Sequence, residues 1–434
     1  MPQGPSTPAN TAPAARCLIV TEMPLDNLRE SRHGIYQRFR MLVEAMSLTG
    51  LGLDVVCSQG PLTPADDPQS PGKVAEQLRR HWGIEARVLG LTRMAKDTRT
   101  PYLLQQLIGC LSHRWSPGHR AAVAGGQLAL LRRALAQGPA LVLAHRMNTM
   151  SLLMAAPDLP PCVFDMDDVE HIVHQRRMKQ ARGLRQIALA RAAWPALRAQ
   201  ERQAVQRAWR TLVCAKDDAR QLADFAQVAP DRVMVVPNGL PLAPPRPALP
   251  AEPALLMVGI YSYEPNGDGA RHFIEQVWPL IRQARPQAEV WFVGPSPESI
   301  GDTARMPAGV KLMGFVDDLE AIYARASVVI CPILIGGGTR VKLIEAALRG
   351  KAIVSTTLGA EGLGFTDGEH ARLSDTPQQF AQACVDLMDS PERAHAMGQQ
   401  AQAFAEQHYD RARIAQDLAA HSRAMLAERA SAQA

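Results

Sequence analysis

Three consecutive glycines, Gly336-Gly337-Gly338, separate an apolar run from a helical pattern in ICPILIGGGTRVKLIEAALRG, residues 330–350. The apolar run, Val328–Cys331, reads as a strand ending at Pro332. The spacing then predicts a helix capped by Thr339, running to about Leu348 and stopped by Gly350. The start of such a helix presents unpaired N–H groups and the positive end of its dipole to an anion. Glycines in the loop let that anion reach the backbone. Arg340 and Lys342 fall in the first turn, where cations oppose the dipole, so their presence argues for a bound phosphate. Glu345 either pairs with Lys342 at i,i+3 or accepts hydrogen bonds from sugar hydroxyls. The glycine run is neither a P-loop nor a GxGxxG fingerprint.

A second cluster lies at Phe164–His174, FDMDDVEHIVH, where a strand gives way to a helix. Asp165, Asp167, Asp168 and Glu170 stand beside His171 and His174. Asp168 suits the N-cap and Glu170 the first turn, which accounts for part of the cluster. An aspartate here, Asp167 or Asp168, could also accept or orient a substrate hydroxyl. His145 closes another apolar run, Leu141–Ala144, on the same side. Ser31–Arg38, SRHGIYQR, follows the first strand, and there Gly34 could admit a phosphate while His33, Tyr36 or Arg38 touch substrate.

These segments must be placed by a regular scaffold. The chain has 434 residues, 47% hydrophobic and 21% charged, enough for two or three domains with full cores. Apolar runs recur at Cys17–Glu22, Leu53–Cys57, Ala86–Leu89, Ala140–Ala144, Cys162–Met166, Thr211–Ala215 and Val233–Val236. They recur again at Leu255–Gly259, Glu289–Gly294, Val310–Met313, Val328–Cys331 and Ala352–Ser355. Continuous apolar strands between amphipathic helices predict buried parallel sheet, an α/β fold. Pro237–Pro253 holds seven prolines in 17 residues and interrupts the series as a stiff linker. The reading is therefore a tail at 1–16, a first doubly wound domain at 17–236, a linker at 237–253, a second domain at 254–408 and a final helix at 409–434 that packs back on the first domain. Two doubly wound domains so joined face each other across a cleft, with ligands beyond the carboxyl ends of the strands. No apolar run approaches the length of a membrane span, and no secretory h-region precedes Cys17. The seven cysteines are widely spaced and odd in number, against a disulfide framework or zinc ribbon. A cytoplasmic protein is expected.

Charge is uneven. Net charge is +5, yet 175–210 holds ten basic residues and one acid, Glu201. Pro195 is expected to split or kink this stretch. It reads either as solvated helix faces or as a basic surface for anionic lipid headgroups. Nucleic acid is not expected, since no recognition motif accompanies the charge.

The segment GGGTRVKLIEAALRGKAIVSTTLGAEGL resembles the donor-site signature of glycosyltransferase family 4, which has the GT-B fold. LLMVGIYSYEPNGDGARHFIEQVWPLI, VWFVGPSP, VKLMGFVDDLEAIYARASVVICP and VPNGL extend the likeness over roughly 230–410. The chain is most similar to sugar transferases of bacterial polysaccharide and exopolysaccharide assembly. The resemblance implies a retaining, metal-independent transferase that moves a sugar from a nucleotide-diphosphate sugar to a hydroxyl of a glycan or lipid-linked acceptor. It implies donor contacts from Gly34, Tyr261, Asn266, Gly314, Phe315, Val316, Gly337, Gly338, Thr339, Arg340, Lys342 and Glu345, with Glu345 at the ribose. Arg340, Lys342 and Asp167 are the catalytic candidates. His33, Arg38, His145, Asp165 and Asp168 are acceptor-side candidates. Asp165-Met166-Asp167 spells the DxD of the other glycosyltransferase fold, which the two-domain pattern opposes. The family commonly has a glutamate eight positions before Glu345, where this chain has Gly337. An epimerase or hydrolase on the same fold, and a non-catalytic binding subunit, are the competing readings. Peripheral contact with the cytoplasmic face of the inner membrane would run through 175–210.

Overall fold

The computed structural model describes residues 15–25, 28, 34–59, 70–93, 120, 122–123, 126–180, 183–243 and 252–433. His33, most of the expected tail and residues 244–251 of the expected linker lie outside these. The first sheet has seven parallel strands: β1 Arg16–Thr21, β2 Gly52–Gln59, β3 Arg87–Arg93, β4 Leu141–His145, β5 Cys162–Asp167, β6 Arg210–Val213 and β7 Val233–Val235. Their order is β3-β2-β1-β4-β5-β6-β7. The second has six: β8 Glu252–Val258, β9 Glu289–Val293, β10 Val310–Gly314, β11 Ala326–Cys331, β12 Ala352–Ser355 and β13 Arg372–Leu373, in the order β10-β9-β8-β11-β12-β13. Both are doubly wound, so each has a switch point, between β1 and β4 and between β8 and β11. β13, two residues long, is too short to have shown in the sequence pattern.

The strands are apolar throughout because both faces are covered. In β1, Cys17 and Ile19 enter the core under the Gly34–Ser47 helix, while Leu18 and Val20 enter the core on the opposite face. Leu255, Leu256 and Met257 of β8 are likewise fully buried. Such a strand cannot slip by one residue without exchanging its two packed faces. Six cysteines, at 17, 57, 162, 214, 331 and 384, are buried free thiols within these cores.

Two segments connect the domains. The chain leaves β7 through Pro237–Leu240 and returns through Tyr409–Arg411, and the two hydrogen-bond to each other. Leu240 N donates to Tyr409 O at 2.9 Å and Arg411 N to Leu240 O at 3.0 Å. Gly239 is required at this crossing, because a Cβ there would stand 2.7 Å from the Arg411 backbone. β8 already begins at Glu252, so strand replaces the end of the expected linker. β1 likewise begins at Arg16, inside the expected tail. The Arg411–Gln433 helix packs on the Gly34–Ser47 helix, with Ile414, Ala415 and Leu418 in the first domain's core. Arg411 pairs with Glu44 at 3.1 Å.

The basic stretch also differs from expectation. The helices are Glu170–Gln180 and Leu184–Arg207, and the break falls at Gly183, whose φ of 95° no helix accepts. Pro195 lies inside the second helix. The described cations are largely engaged within the molecule. Arg198 stacks on Trp194 and Phe225. Arg202 donates to Phe225 O, and Arg207 to the carbonyls of Ala156 and Pro157. No described helix is long and apolar enough to cross a membrane.

Leu418 is 3% exposed. Leu418→Ala should therefore destabilise the first domain by about 2–5 kcal/mol, read as an earlier urea unfolding transition, although the residue belongs to the last helix of the chain.

Candidate functional site

The carboxyl ends of the strands in both sheets meet at one cleft. On the second-domain side, Gly336 (φ 135°) and Gly338 (φ 63°) turn the loop after β11 into the Val341–Leu348 helix. The helix's buried face, Leu343, Ile344, Ala346, Ala347 and Leu348, fixes it against the sheet. Arg340, not Thr339, occupies the N-cap, and no side chain caps the helix. Thr339 Oγ1 instead accepts from Asn238 Nδ2 across the cleft, at 2.8 Å. Leu343 N donates to Arg340 O at 2.8 Å, and no side chain competes with a ligand for the amides before it. Arg340 folds over the loop and donates to the carbonyls of Gly337, at 2.5 Å, and Gly338.

Lys342 and Glu345 do not form the expected i,i+3 pair. Lys342 Nζ donates to Asn266 Oδ1 at 2.6 Å, and Asn266 Nδ2 donates to Ile260 O at 2.9 Å. Burial lowers the Lys342 pKa, with Arg340 adding to it and Cys331 and Glu345 opposing. Glu345 lies beside the buried Tyr323 hydroxyl, and burial raises its pKa against the pull of Arg349. At the end of β10, Gly314 takes φ 66°, Phe315 is exposed and Val316 half-buried. Tyr261 is a correction: it is 1% exposed and its hydroxyl donates to Met257 O, so it packs the core and cannot face a donor.

The first domain supplies the opposite wall. Gly34 opens the Gly34–Ser47 helix directly against Val341, and a Cβ on Gly34 would come within 2.9 Å of the Val341 side chain. Two helix N-termini thus meet across the cleft. Asp168 and Val173 fill the space where Gly338 and Gly337 have no side chain. Arg176 donates to Gly336 O at 2.7 Å and pairs with Glu361 at 2.6 Å. Asp168 is not the N-cap expected of it, since the helix begins at Glu170 and Val169 O accepts its first hydrogen bonds, from Ile172 and Val173.

Beneath this wall lies a buried polar network. Arg38 is 1% exposed, and its guanidinium makes a fork to Asp165, with Nε at 2.9 Å and Nη2 at 2.5 Å from Oδ1. Its Nη1 donates to Val236 O at 3.0 Å and Asn238 Oδ1 at 3.1 Å. Burial opposes charge on Arg38, but Asp165, Cys214 and Asp167 together outweigh it and hold the cation. Arg38 and Asp165 are thus corrected from acceptor contacts to buried structure, because each is spent on the other. His145 is corrected likewise. It is fully buried against Phe39, its Nδ1 bonds Thr21 Oγ1 at 3.1 Å, and burial followed by Arg146 and Arg38 keeps it neutral.

Asp167 remains at the cleft floor, 3.6 Å from Arg38 Nε and 20% exposed. It has φ 62°, and Arg146, after the neighbouring strand, has φ 73°. Two non-glycine residues in this region on adjacent strand ends mark stored strain, as functional sites often do. Arg146 pairs with Glu22 at 2.8 Å, and Asn148 donates to Glu22 at 2.7 Å. Arg146, Glu22 and Glu170 were not singled out from sequence as substrate contacts. Only their positions after β1, β4 and β5 could have flagged them. Burial first, then Glu201, pushes the Glu170 carboxyl up to about 7. Among the described residues, no group of three or more His, Cys, Asp or Glu is arranged to hold a metal.

Removing one side of a buried pair strands the other charge. Arg38→Ala should cost about 3–5 kcal/mol, and Arg38→Met combined with Asp165→Leu should cost less than Arg38→Ala alone, both read by urea unfolding. For Glu170, the folded state holds its proton at a pH where the unfolded chain has lost it. Stability should therefore fall as pH rises from about 4.5 to about 7. Glu170→Gln should flatten that slope in a melting-temperature series.

Comparison with known proteins agrees with this geometry. Residues 252–390 match the family model described as glycosyl transferases group 1. An uncharacterized 44.6 kDa protein in the cps region of Klebsiella pneumoniae is 21% identical over 168 residues, 37% of this chain and 43% of that protein. The chain therefore matches less than half the length of this curated relative. Among solved structures, HepE of Anabaena in complex with UDP and glucose is similar at a TM-score of 0.60 and 14% identity, covering 93% of this chain and 98% of that one. Sucrose-phosphate synthase of Thermosynechococcus elongatus superposes at 0.66 and 16% identity, covering 95% and 100%. WaaG, a glycosyltransferase involved in lipopolysaccharide biosynthesis, superposes at 0.57 and 14%, covering 93% and 98%. The chain accordingly has the two-domain GT-B fold, and its second domain matches the glycosyl transferases group 1 model.

Proposed function

We propose that the protein is a glycosyltransferase that moves a sugar from a nucleoside diphosphate sugar to a hydroxyl acceptor in this cleft. The observation that carries the reading is the uncapped Val341–Leu348 helix behind its glycine loop, facing the N-terminus of the Gly34–Ser47 helix within a region matching group 1 transferases. Two helix dipoles, with the side-chain-uncapped start of the Val341–Leu348 helix, form a place for a diphosphate. Lys342 stands in the helix's first turn, and Arg340 stiffens the loop from the same end. Asn266, linked to Lys342, belongs to the same donor wall. Gly314–Val316 flank the place proposed for the base, and Glu345 that for the ribose. The UDP and glucose named for the HepE structure, and the synthetic role named for WaaG, support the same substrate class.

In the proposed reaction the bond between the anomeric carbon and the diphosphate oxygen breaks. The acceptor oxygen bonds that carbon from the same face. The acceptor proton passes to the departing diphosphate, so configuration is retained and no metal is called for. Fixed dipoles and cations aimed at the leaving group stabilise charge as it develops. In this reading Asp167, at a φ of 62° and partly exposed to the cleft, orients the acceptor hydroxyl. The acceptor is proposed to be a glycan or lipid-linked glycan, with the enzyme at the cytoplasmic face of the inner membrane. The engagement of most described cations between 175 and 210 weakens, for that stretch, the picture of a continuous lipid-binding face.

The test is a thermal-shift and calorimetry series with UDP, GDP and ADP and their sugars. One nucleotide series should raise the melting temperature of the wild type. Arg340→Ala should weaken that nucleotide by about tenfold or more, as expected for loss of a charged hydrogen-bonding group. Glu345→Ala should weaken it as well. Absence of any nucleotide shift in the wild type would sink the reading. Turnover of donor without acceptor, to an epimer or free sugar, would replace transfer with epimerisation or hydrolysis.

A further inference from the structure

Asp168 belongs to the first domain, yet its carboxylate lies on the second domain's glycine loop. A Cβ added to Gly338 would overlap Asp168 Oδ1, and one added to Gly337 would overlap Val173 while lying 3.9 Å from the same oxygen. The loop's two bare glycines and the reaching carboxylate are therefore one fitted contact. A side chain at 338 would displace the Asp168 carboxylate from the loop, and one at 337 would push the Val173 methyl aside. The approach of the domains is held from three further points: Asn238 to Thr339, Arg176 to Gly336 O, and Gly34 against Val341. Asp168 is thereby set beside the start of the helix that takes the diphosphate in the reading above.

We propose that Asp168 is a donor-side residue: its carboxylate, delivered across the cleft, accepts hydrogen bonds from the hydroxyls of the sugar being transferred. The inference rests on the donor site proposed above. It reassigns Asp168, which sequence placed on the acceptor side, because its carboxylate lies on the glycine loop of the second domain. The chemistry fits the position. A carboxylate is acceptor-only and matches vicinal hydroxyls, whereas beside a diphosphate it repels. Asp168 therefore favours the sugar and disfavours the bare nucleotide. Burial first, then the charge of Asp167, pushes the Asp168 carboxyl up to about 6, with Arg340 the main cation pulling it down. The carboxyl is then mostly ionised at pH 7.5, when the sugar hydroxyls need an acceptor.

The experiment compares affinities by calorimetry at pH 7.5 in wild type, Asp168→Asn and Gly338→Ala. The probes are UDP-glucose, UDP-galactose, UDP-N-acetylglucosamine and GDP-mannose, each against its own nucleoside diphosphate. For the donor that the wild type binds best, Asp168→Asn should bind the nucleoside diphosphate as tightly as wild type or more tightly. It should bind the sugar nucleotide about tenfold more weakly. Gly338→Ala, which displaces the carboxylate from the loop, should move the same ratio in the same direction. An equal loss for nucleotide and sugar nucleotide would overturn the proposal, because Asp168 would then act only through domain closure. Unchanged affinities for both would overturn it too. A wild type that binds none of the nucleotides would instead remove the donor site itself, and this inference with it.

Discussion

The cleft depends on one buried cation. Arg38 projects from the Gly34–Ser47 helix and bonds both to β5, at Asp165, and to the segment leaving β7, at Val236 and Asn238. A guanidinium can do this because its donors point in fixed, divergent directions. Burying it would be prohibitive without Asp165, whose carboxylate meets it as a fork. The pair does not need to contribute net stability. It sets the height of the Gly34 helix relative to the acidic strand end, and so sets what faces the second domain.

The same cation reaches the second domain through one intermediary. Arg38 holds Asn238 by its side-chain oxygen, leaving the amide nitrogen free to donate to Thr339. Asn238 is thus oriented by the first domain and read by the second. It stands at the start of the crossing segment, one residue before the glycine that lets the two connections touch. The final helix closes the circuit by packing on the Gly34–Ser47 helix. Position of the domains is therefore governed by a few polar contacts and by glycines that leave room for them. A broad apolar interface would have held the cleft rigid, whereas contacts of this kind allow it to open.

Much of this was legible in the chain. The strands, the two-domain division and the glycine loop before a buried helix follow from local pattern, because parallel strands covered on both faces are continuously apolar. The GT-B resemblance rested on the same second-half segments. Local rules failed where a side chain had a distant partner. Thr339 has the chemistry of an N-cap but is drawn to Asn238. Lys342 and Glu345 have the spacing of an ion pair, but Asn266 takes the lysine. Tyr261, His145 and Asp165 sit at strand ends facing a cleft, yet packing turns each into the core. Glu22 and Arg146 are unremarkable in sequence because they are 124 positions apart and meet only when β1 and β4 pair.

The sequence alone determined the kind of scaffold and the glycine loop that precedes its buried helix. Periodicity and glycine placement are properties of a few neighbouring residues, and they dictate strands and helices. Only the tertiary structure decided which polar residues stay available. Arg38 and Asp165 cancel each other in the interior, whereas Asp168, three residues further along, crosses the cleft to a pair of glycines. That choice depends on burial and on partners more than a hundred residues away, and no local pattern carries either.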